Sequence, residues 1–197
     1  MENSKKINTI VGLGLLTAIV VVLQTFAIAI RFGIFNITLV LAPIVVGAAL
    51  YGWKAGAWLG FVFGLVVLFT DAGAFLAINI PGTIATCILK GALAGTAAGL
   101  VYKLVSKKNS VVAVIAAGVV SPIVNTGVFL LGCLIFFLDT IKGWAAVAGC
   151  EDVGTFMMTS FVGLNFVVEL AINLVLSSAI VLIISIGKKS LLNKRKG

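Results

Sequence analysis

Apolar residues run along this chain in long unbroken stretches separated by short polar breaks. Six stretches stand out, at positions 7–30, 37–51, 55–70, 81–104, 111–138 and 156–186. A helix needs about 20 predominantly apolar residues to cross the hydrocarbon core of a bilayer, so the second and third are short for the task. Strands of a membrane barrel would alternate apolar and polar positions. These runs do not alternate, and helices are predicted throughout. Pro81 opens the fourth stretch, where a missing backbone N–H is harmless in a first helical turn. Pro122 interrupts the fifth, where a proline removes a helical hydrogen bond. The expected fold class is an all-α integral membrane protein: a single domain over residues 1–197, built as a bundle of six transmembrane helices.

The few polar positions inside the stretches carry the information about chemistry. An unpaired charge at the bilayer centre costs about 2.5–3.5 kcal/mol on insertion scales, and Lys90 and Glu169 both stand inside a stretch. Lys90 lies about 13 Å along the fourth helix from Pro81 at 1.5 Å per residue. Asn165, Glu169 and Asn173 recur every four residues and share one face of the sixth helix. Asn125 and Thr126 fall midway along the fifth, just past Pro122. Facing lipid would leave each of these groups unsatisfied, so they are expected to converge on the interior. Two arrangements meet that requirement. One is a structural network in which Lys90 pairs with Glu169 and the asparagines bond between helices. The other is a substrate site lined by Lys90, Asn125, Thr126, Asn165, Glu169 and Asn173. A Lys90 not consumed by Glu169 would suit a substrate carboxylate.

Charge placement gives the bundle a direction. With both termini in the cytoplasm, the inner side receives Lys5, Lys6, Lys54, Lys103, Lys107, Lys108, Lys188, Lys189, Lys194, Arg195 and Lys196. The outer side receives only Arg31 and Lys142. Short loops rich in Lys and Arg stay cytoplasmic, so the split predicts this orientation in the cell membrane and an even number of crossings. It also accounts for the net charge of +8 without a nucleic-acid partner. The first stretch has the basic flank of a secretory signal, but its apolar core of about twenty residues exceeds the usual 7–15; it reads as a retained anchor. The loop at 139–153 holds Trp144, Glu151 and Asp152. It is long enough either to fold over the mouth of the bundle or to remain a solvated connection.

Composition removes whole classes of function. The chain is 61% apolar and 10% charged, with a mean hydropathy of +1.26. Soluble domains are about half apolar and a quarter charged, so lipid must cover this surface. There is no histidine, which excludes a Ser-His-Asp triad, an HExxH zinc site and the usual ligands for iron, cobalt or nickel. Cys87, Cys133 and Cys150 form no CxxC pair; Cys87 and Cys133 read as small apolar filler. No metal or cofactor is expected. Asp71, Asp139 and Glu169 belong to different depths, so a carboxylate dyad for acid–base catalysis is not expected either. The glycine spacings at 47–52 and 127–132 suit a phosphate loop, but Trp53 and Cys133 occupy the lysine position. Any nucleotide energy must come from partners. Small residues recur at Gly14 and Ala18, at Gly56, Gly60 and Gly64, and at Gly91, Gly95 and Gly99. This spacing lets backbones approach closely, either inside the bundle or against a partner membrane protein.

Several segments together resemble the substrate-binding S components of energy-coupling factor (ECF) vitamin transporters, over nearly the whole chain. They are the basic N-terminal segment before GLLTA at 14–18, LAPIVVGA at 41–48, LYGWKAGA at 50–57, the proline-opened fourth stretch and the basic segment holding Lys103, Lys107 and Lys108. The resemblance implies six helices with both termini inside, a vitamin-like ligand taken from outside, and partners: a transmembrane coupling subunit and two cytoplasmic ATPases. It implies that Gly14 and Ala18, with glycine replacing the first alanine of an AxxxA-type motif, meet the coupling subunit. It also implies a pocket in the outer half among helices four to six, where Lys90, Asn125, Asn165 and Glu169 would sit. PIVNTGVF at 122–129 is similar to pantothenate-type members; folate, riboflavin and a thiamine precursor are the other candidates. The competing reading of the residues is an autonomous ion-coupled carrier or channel, with Glu169 as a proton site.

Overall fold

A computed structural model describes residues 2–27, 31–32, 35–36 and 39–194, with side chains described over 6–26, 39–163 and 166–181. The side chain of Asn165, residues 28–30 of the first stretch, and the side chains of the basic tail from Lys188 to Lys196 lie outside the described residues. The elements are α1 (Glu2–Ala27), a short antiparallel ladder of β1 (Arg31–Phe32) with β2 (Phe35–Asn36), α2 (Leu41–Tyr51) and α3 (Trp53–Thr70). There follow α4 (Gly73–Leu76), α5 (Ile80–Val105), α6 (Ser110–Phe136), α7 (Leu138–Val147), α8 (Val153–Met157), a π-helical turn (Met158–Val162) and α9 (Gly163–Lys194).

Among the described residues, five helical segments are long and apolar enough to cross a membrane: Lys6–Phe26, Trp53–Thr70, Ile80–Val105, Ser110–Phe136 and Val153–Val181. The second predicted stretch differs, because α2 has only 11 residues. That is about 16 Å of helix, half the thickness of the hydrocarbon layer. Its surroundings explain why a short helix is stable here. Leu41 to Ala48 are all buried, and α2 packs against α1, α3, α5, α6 and α9. Protein, not lipid, encloses it, so its length need not match the bilayer. Gly52, with φ of +92°, turns the chain from α2 directly into α3.

The closest packing in the bundle joins α3 to α5 in antiparallel fashion. A Cβ at Gly60 would fall on the Gly91 carbonyl oxygen, and one at Gly91 on the Gly60 carbonyl oxygen. Gly56 and Gly95 stand in the same reciprocal relation, and Gly64 meets the Cys87 carbonyl. Two of the three small-residue stripes are therefore consumed by one internal seam. The third is not: Gly14 and Ala18 are exposed, and a Cβ at Gly14 would meet nothing within 4 Å.

Two departures from simple helices shape the side where α6 meets α9. Pro122 sits inside α6 and cannot donate to the carbonyl four residues back, that of Gly118. The sixth stretch is broken by the π turn and by Gly163, with φ of +36°; π turns inside helices commonly mark functional sites. The predicted loop at 139–153 is folded as α7 and the entry to α8. Lys6, Lys54, Lys103, Lys107 and Lys108 gather at the end of the bundle opposite α4 and α7, whereas Lys142 lies on α7 itself.

Candidate functional site

Helix α5 begins with Asn79 accepting a hydrogen bond from Gly82 N–H at 3.0 Å, a side-chain cap that fixes where the helix starts. Further along, Lys90 projects back toward that start, as helical side chains do, into a cavity of about 600 Å³ at the α4 and α7 end. Lys90, Asn125, Thr126 and Glu169 all line this one cavity. Four of the six residues expected from the sequence are thus brought together from α5, α6 and α9.

Aromatic rings, not a carboxylate, flank the ammonium. Lys90 Nζ stands 5.3 Å from the ring centre of Phe129 and 5.7 Å from that of Phe63, close enough for attraction by both ring faces. Among the described residues, the pairing of Lys90 with Glu169 allowed by the sequence is not formed. Asn125 is 8% exposed, and its Oδ1 has no hydrogen-bond partner among the described residues. Leaving such an acceptor unpaired costs about 1–3 kcal/mol. Among the described residues, an ammonium flanked by rings and an acceptor without a donor therefore share one hollow.

Asn173 sits elsewhere. It is buried and outside the cavity lining; its Nδ2 donates to the Gly118 carbonyl at 2.6 Å, and its Oδ1 accepts from Ser177 at 3.3 Å. The Gly118 carbonyl is the one that Pro122 leaves without its helical donor. Asn173 thus clasps α9 to the α6 carbonyl freed by Pro122. The four-residue spacing placed it on the face of Glu169 but could not show that a proline-freed carbonyl would take up its amide.

Several lining residues had no signal of their own in the sequence. Gln24 on α1 and Asp71 at the end of α3 both line the cavity, and Gln24 Nε2 donates to Asp71 Oδ2 at 2.7 Å. The apolar wall is aromatic. Phe75 on α4 makes edge-on contacts with Phe129, Phe137 and Trp144, with ring centres 5.9, 5.0 and 5.7 Å apart. Through Trp144, α7 closes over the cavity, so the predicted 139–153 segment is a cover and not a free loop. Beyond it, Asp152 caps α8 by accepting from the Thr155 N–H at 2.6 Å. That backbone bond, with a further bond from the Thr155 side chain, holds its carboxyl below the usual carboxylate range.

Among the described residues no group of three or more His, Cys, Asp or Glu could hold a metal ion. The arrangement suits reversible capture of a small solute having an anionic group and hydrogen-bonding groups. No solved structure matches the chain. The pantothenic acid transporter PanT of Lactococcus lactis subsp. cremoris (strain MG1363) is 27% identical over 199 residues, covering 92% of this chain and 95% of that protein. Residues 8–185 match the family described as "ECF transporter, substrate-specific component". With the apolar helices and the aromatic-walled cavity already in place, this match over most of the chain makes it a multi-pass membrane protein belonging to the substrate-specific components of ECF transporters.

Proposed function

We propose that this chain captures a small water-soluble vitamin, pantothenate first among them, at the outer face of the cell membrane. The observation that carries the reading is the cavity of about 600 Å³ in which, among the described residues, Lys90 lacks a carboxylate partner and Asn125 Oδ1 lacks a donor. Pantothenate offers a carboxylate for the first and an amide and hydroxyls for the second. Its compact branched end suits an aromatic wall. The similarity to PanT supports the same solute. Thr126, Glu169 and, by its place on α9, Asn165 complete the proposed binding set; Asn173 acts through the Gly118 clasp.

Orientation follows from charge. The described lysines at the end opposite the cavity favour the cytoplasm for that end. Both termini lie there if α2 and the segment before it complete a sixth crossing, shielded by the helices around α2. Energy would come from a transmembrane coupling subunit and two cytoplasmic ATPases, with the exposed Gly14 and Ala18 face of α1 as the docking surface. Small residues there let a partner helix approach closely.

Isothermal titration of the purified protein with pantothenate tests this reading. Binding of one equivalent without ATP is expected. Lys90→Ala and Glu169→Gln should each weaken it at least tenfold, a loss of about 1.4 kcal/mol or more. Unchanged affinity in both variants removes them from the site. Uptake into vesicles holding this chain alone would overturn the need for ATPase partners.

A further inference from the structure

A lysine ammonium rides on a flexible four-carbon stem, so one that is to meet a solute must first be held still. Among the described residues, Lys90 is held by two rings and by no carboxylate. Its Nζ lies over Phe129 at 5.3 Å and over Phe63 at 5.7 Å from the ring centres. Both rings line the cavity. A ring face attracts a cation through its quadrupole and carries no net charge. A protein carboxylate in that place would have to let go before a solute carboxylate could bind. The rings need not.

The two rings come from different helices and are fixed by different devices. Phe63, on α3, is 2% exposed. A Cβ at Gly91 would come within 3.1 Å of its Cδ1, so the bare backbone beside Lys90 is what admits the ring. Gly91 thus serves the cavity as well as the seam. Phe129, on α6, is held by other rings: Phe75 meets it edge-on at 5.9 Å, and Phe161 stands 5.7 Å away. Phe75 in turn touches Trp144 on α7, with ring centres 5.7 Å apart. A continuous line of rings therefore runs from the cover to the ammonium.

We propose that Phe63 and Phe129 form a brace that pre-positions Lys90, and that this brace sets the preference of the cavity for a carboxylate over a neutral group. This rests on the proposed function and deepens it. The apparent affinity for an acid is the intrinsic affinity scaled by the fraction of molecules whose ammonium already points into the cavity. With the brace in place that fraction is high; without it the ammonium spreads over other rotamers. A neutral solute gains less from the ammonium and loses less when it strays. Phe63 and Phe129 are positioning residues, and Lys90 touches the solute.

Titration of the full-length protein with pantothenate and with its neutral alcohol, in which a hydroxymethyl group replaces the carboxylate, tests the assignment. Wild type should prefer the acid by about tenfold or more, since charge-assisted hydrogen bonds are the stronger ones. Phe129→Leu keeps an apolar side chain and removes the ring face. It should weaken pantothenate about fivefold or more and the alcohol about twofold or less. Phe63→Leu should shift the ratio in the same way. A fluorinated phenylalanine at position 129 keeps nearly the same shape while its ring face loses negative charge, and should also weaken the acid selectively. In a Lys90→Gln background, Phe129→Leu should cost nothing further. Equal loss of both compounds in Phe129→Leu would show plain packing and overturn the brace. So would a fluorinated ring that leaves acid binding as in wild type, or a loss that persists in the Lys90→Gln background; a wild-type preference for the acid then leaves the contact between Lys90 and the carboxylate standing. Equal binding of acid and alcohol by wild type, or binding of neither, would instead overturn that contact in the proposed function, and the brace with it.

Discussion

The seam between α3 and α5 and the outer face of α1 carry the same kind of sequence, small residues four apart, and use it in opposite ways. In the seam, Gly56, Gly60 and Gly64 bring one backbone onto the carbonyls of another, with no space for a methyl group. On α1, Gly14 and Ala18 are exposed, and a Cβ at Gly14 would meet nothing within 4 Å. Small residues at this spacing permit close approach but do not specify the partner. What decides is which stripe finds another in the same chain. Those on α3 and α5 match each other, and the α1 stripe finds no match among the described residues.

The largest effect should come from filling the seam. Gly60→Leu or Gly91→Leu must displace a backbone carbonyl, which cannot rotate away as a side chain could. A loss of at least about 3 kcal/mol is expected, seen as failure to recover monodisperse protein in detergent. A well-folded Gly60→Leu protein with wild-type thermal stability would break the contrast. Next is the clasp between α6 and α9, a seam held by a side chain instead of by the lack of one. Asn173→Leu strips the Gly118 carbonyl of the donor seen at 2.6 Å and should cost about 1–3 kcal/mol. The thermal denaturation midpoint should fall accordingly, with ligand affinity following only as far as α6 shifts against α9. Third, Gly14→Leu should leave thermal stability and ligand affinity unchanged while weakening co-purification with the coupling subunit about tenfold, near 1.4 kcal/mol. Lost stability in that variant would mean that the Gly14 face of α1 packs within the chain after all.

The legible and hidden parts of this molecule divide along physical lines. Long apolar runs gave away α1, α3, α5 and α6 because a membrane span is a property of composition over many residues. The run at 37–51 is apolar too, yet α2 is 11 residues long; hydropathy cannot distinguish a helix wrapped by protein from one wrapped by lipid. Lys90, Asn125, Thr126 and Glu169 could be read as cavity residues because each is costly in hydrocarbon. Asn173 met the same criterion and turned to Gly118, since the cost of a buried amide is relieved equally well by a neighbour or by a solute. Gln24 lies near the end of its stretch, where an amide needs no special explanation, and Asp71 lies in a loop. Only the fold joins them. Phe75, Phe129 and Trp144 were invisible as lining because aromatics are ordinary in any apolar stretch. The break at Gly163 had no sequence mark beyond one glycine among many.

The smallest expected effect separates the cover from the seam by pH. No ionisable group lies among the glycine contacts of α3 and α5, so the seam should be indifferent to acid. The cover instead starts α8 from Asp152, whose carboxylate accepts from the Thr155 N–H at 2.6 Å. That bond holds the carboxyl below its ordinary range. A depressed folded-state pKa contributes stability that is complete above the unfolded value, near 3.9 for aspartate, and fades as pH falls through the folded one. From pH 7 to about pH 5 the start of α8 should therefore be unchanged, and it should fray only as acid approaches that lowered value. Asn at this position caps through its amide oxygen and cannot titrate, so Asp152→Asn should remove the acid dependence while keeping the helix start. Amide hydrogen exchange at Thr155, compared between the two proteins at each pH, reads the difference directly. Faster exchange in the wild type only at the acid end is expected, with the amides flanking Gly60 the same in both. Equal exchange at every pH would mean that the carboxylate cap does not secure the cover, leaving its hold to the aromatic cluster around Phe75.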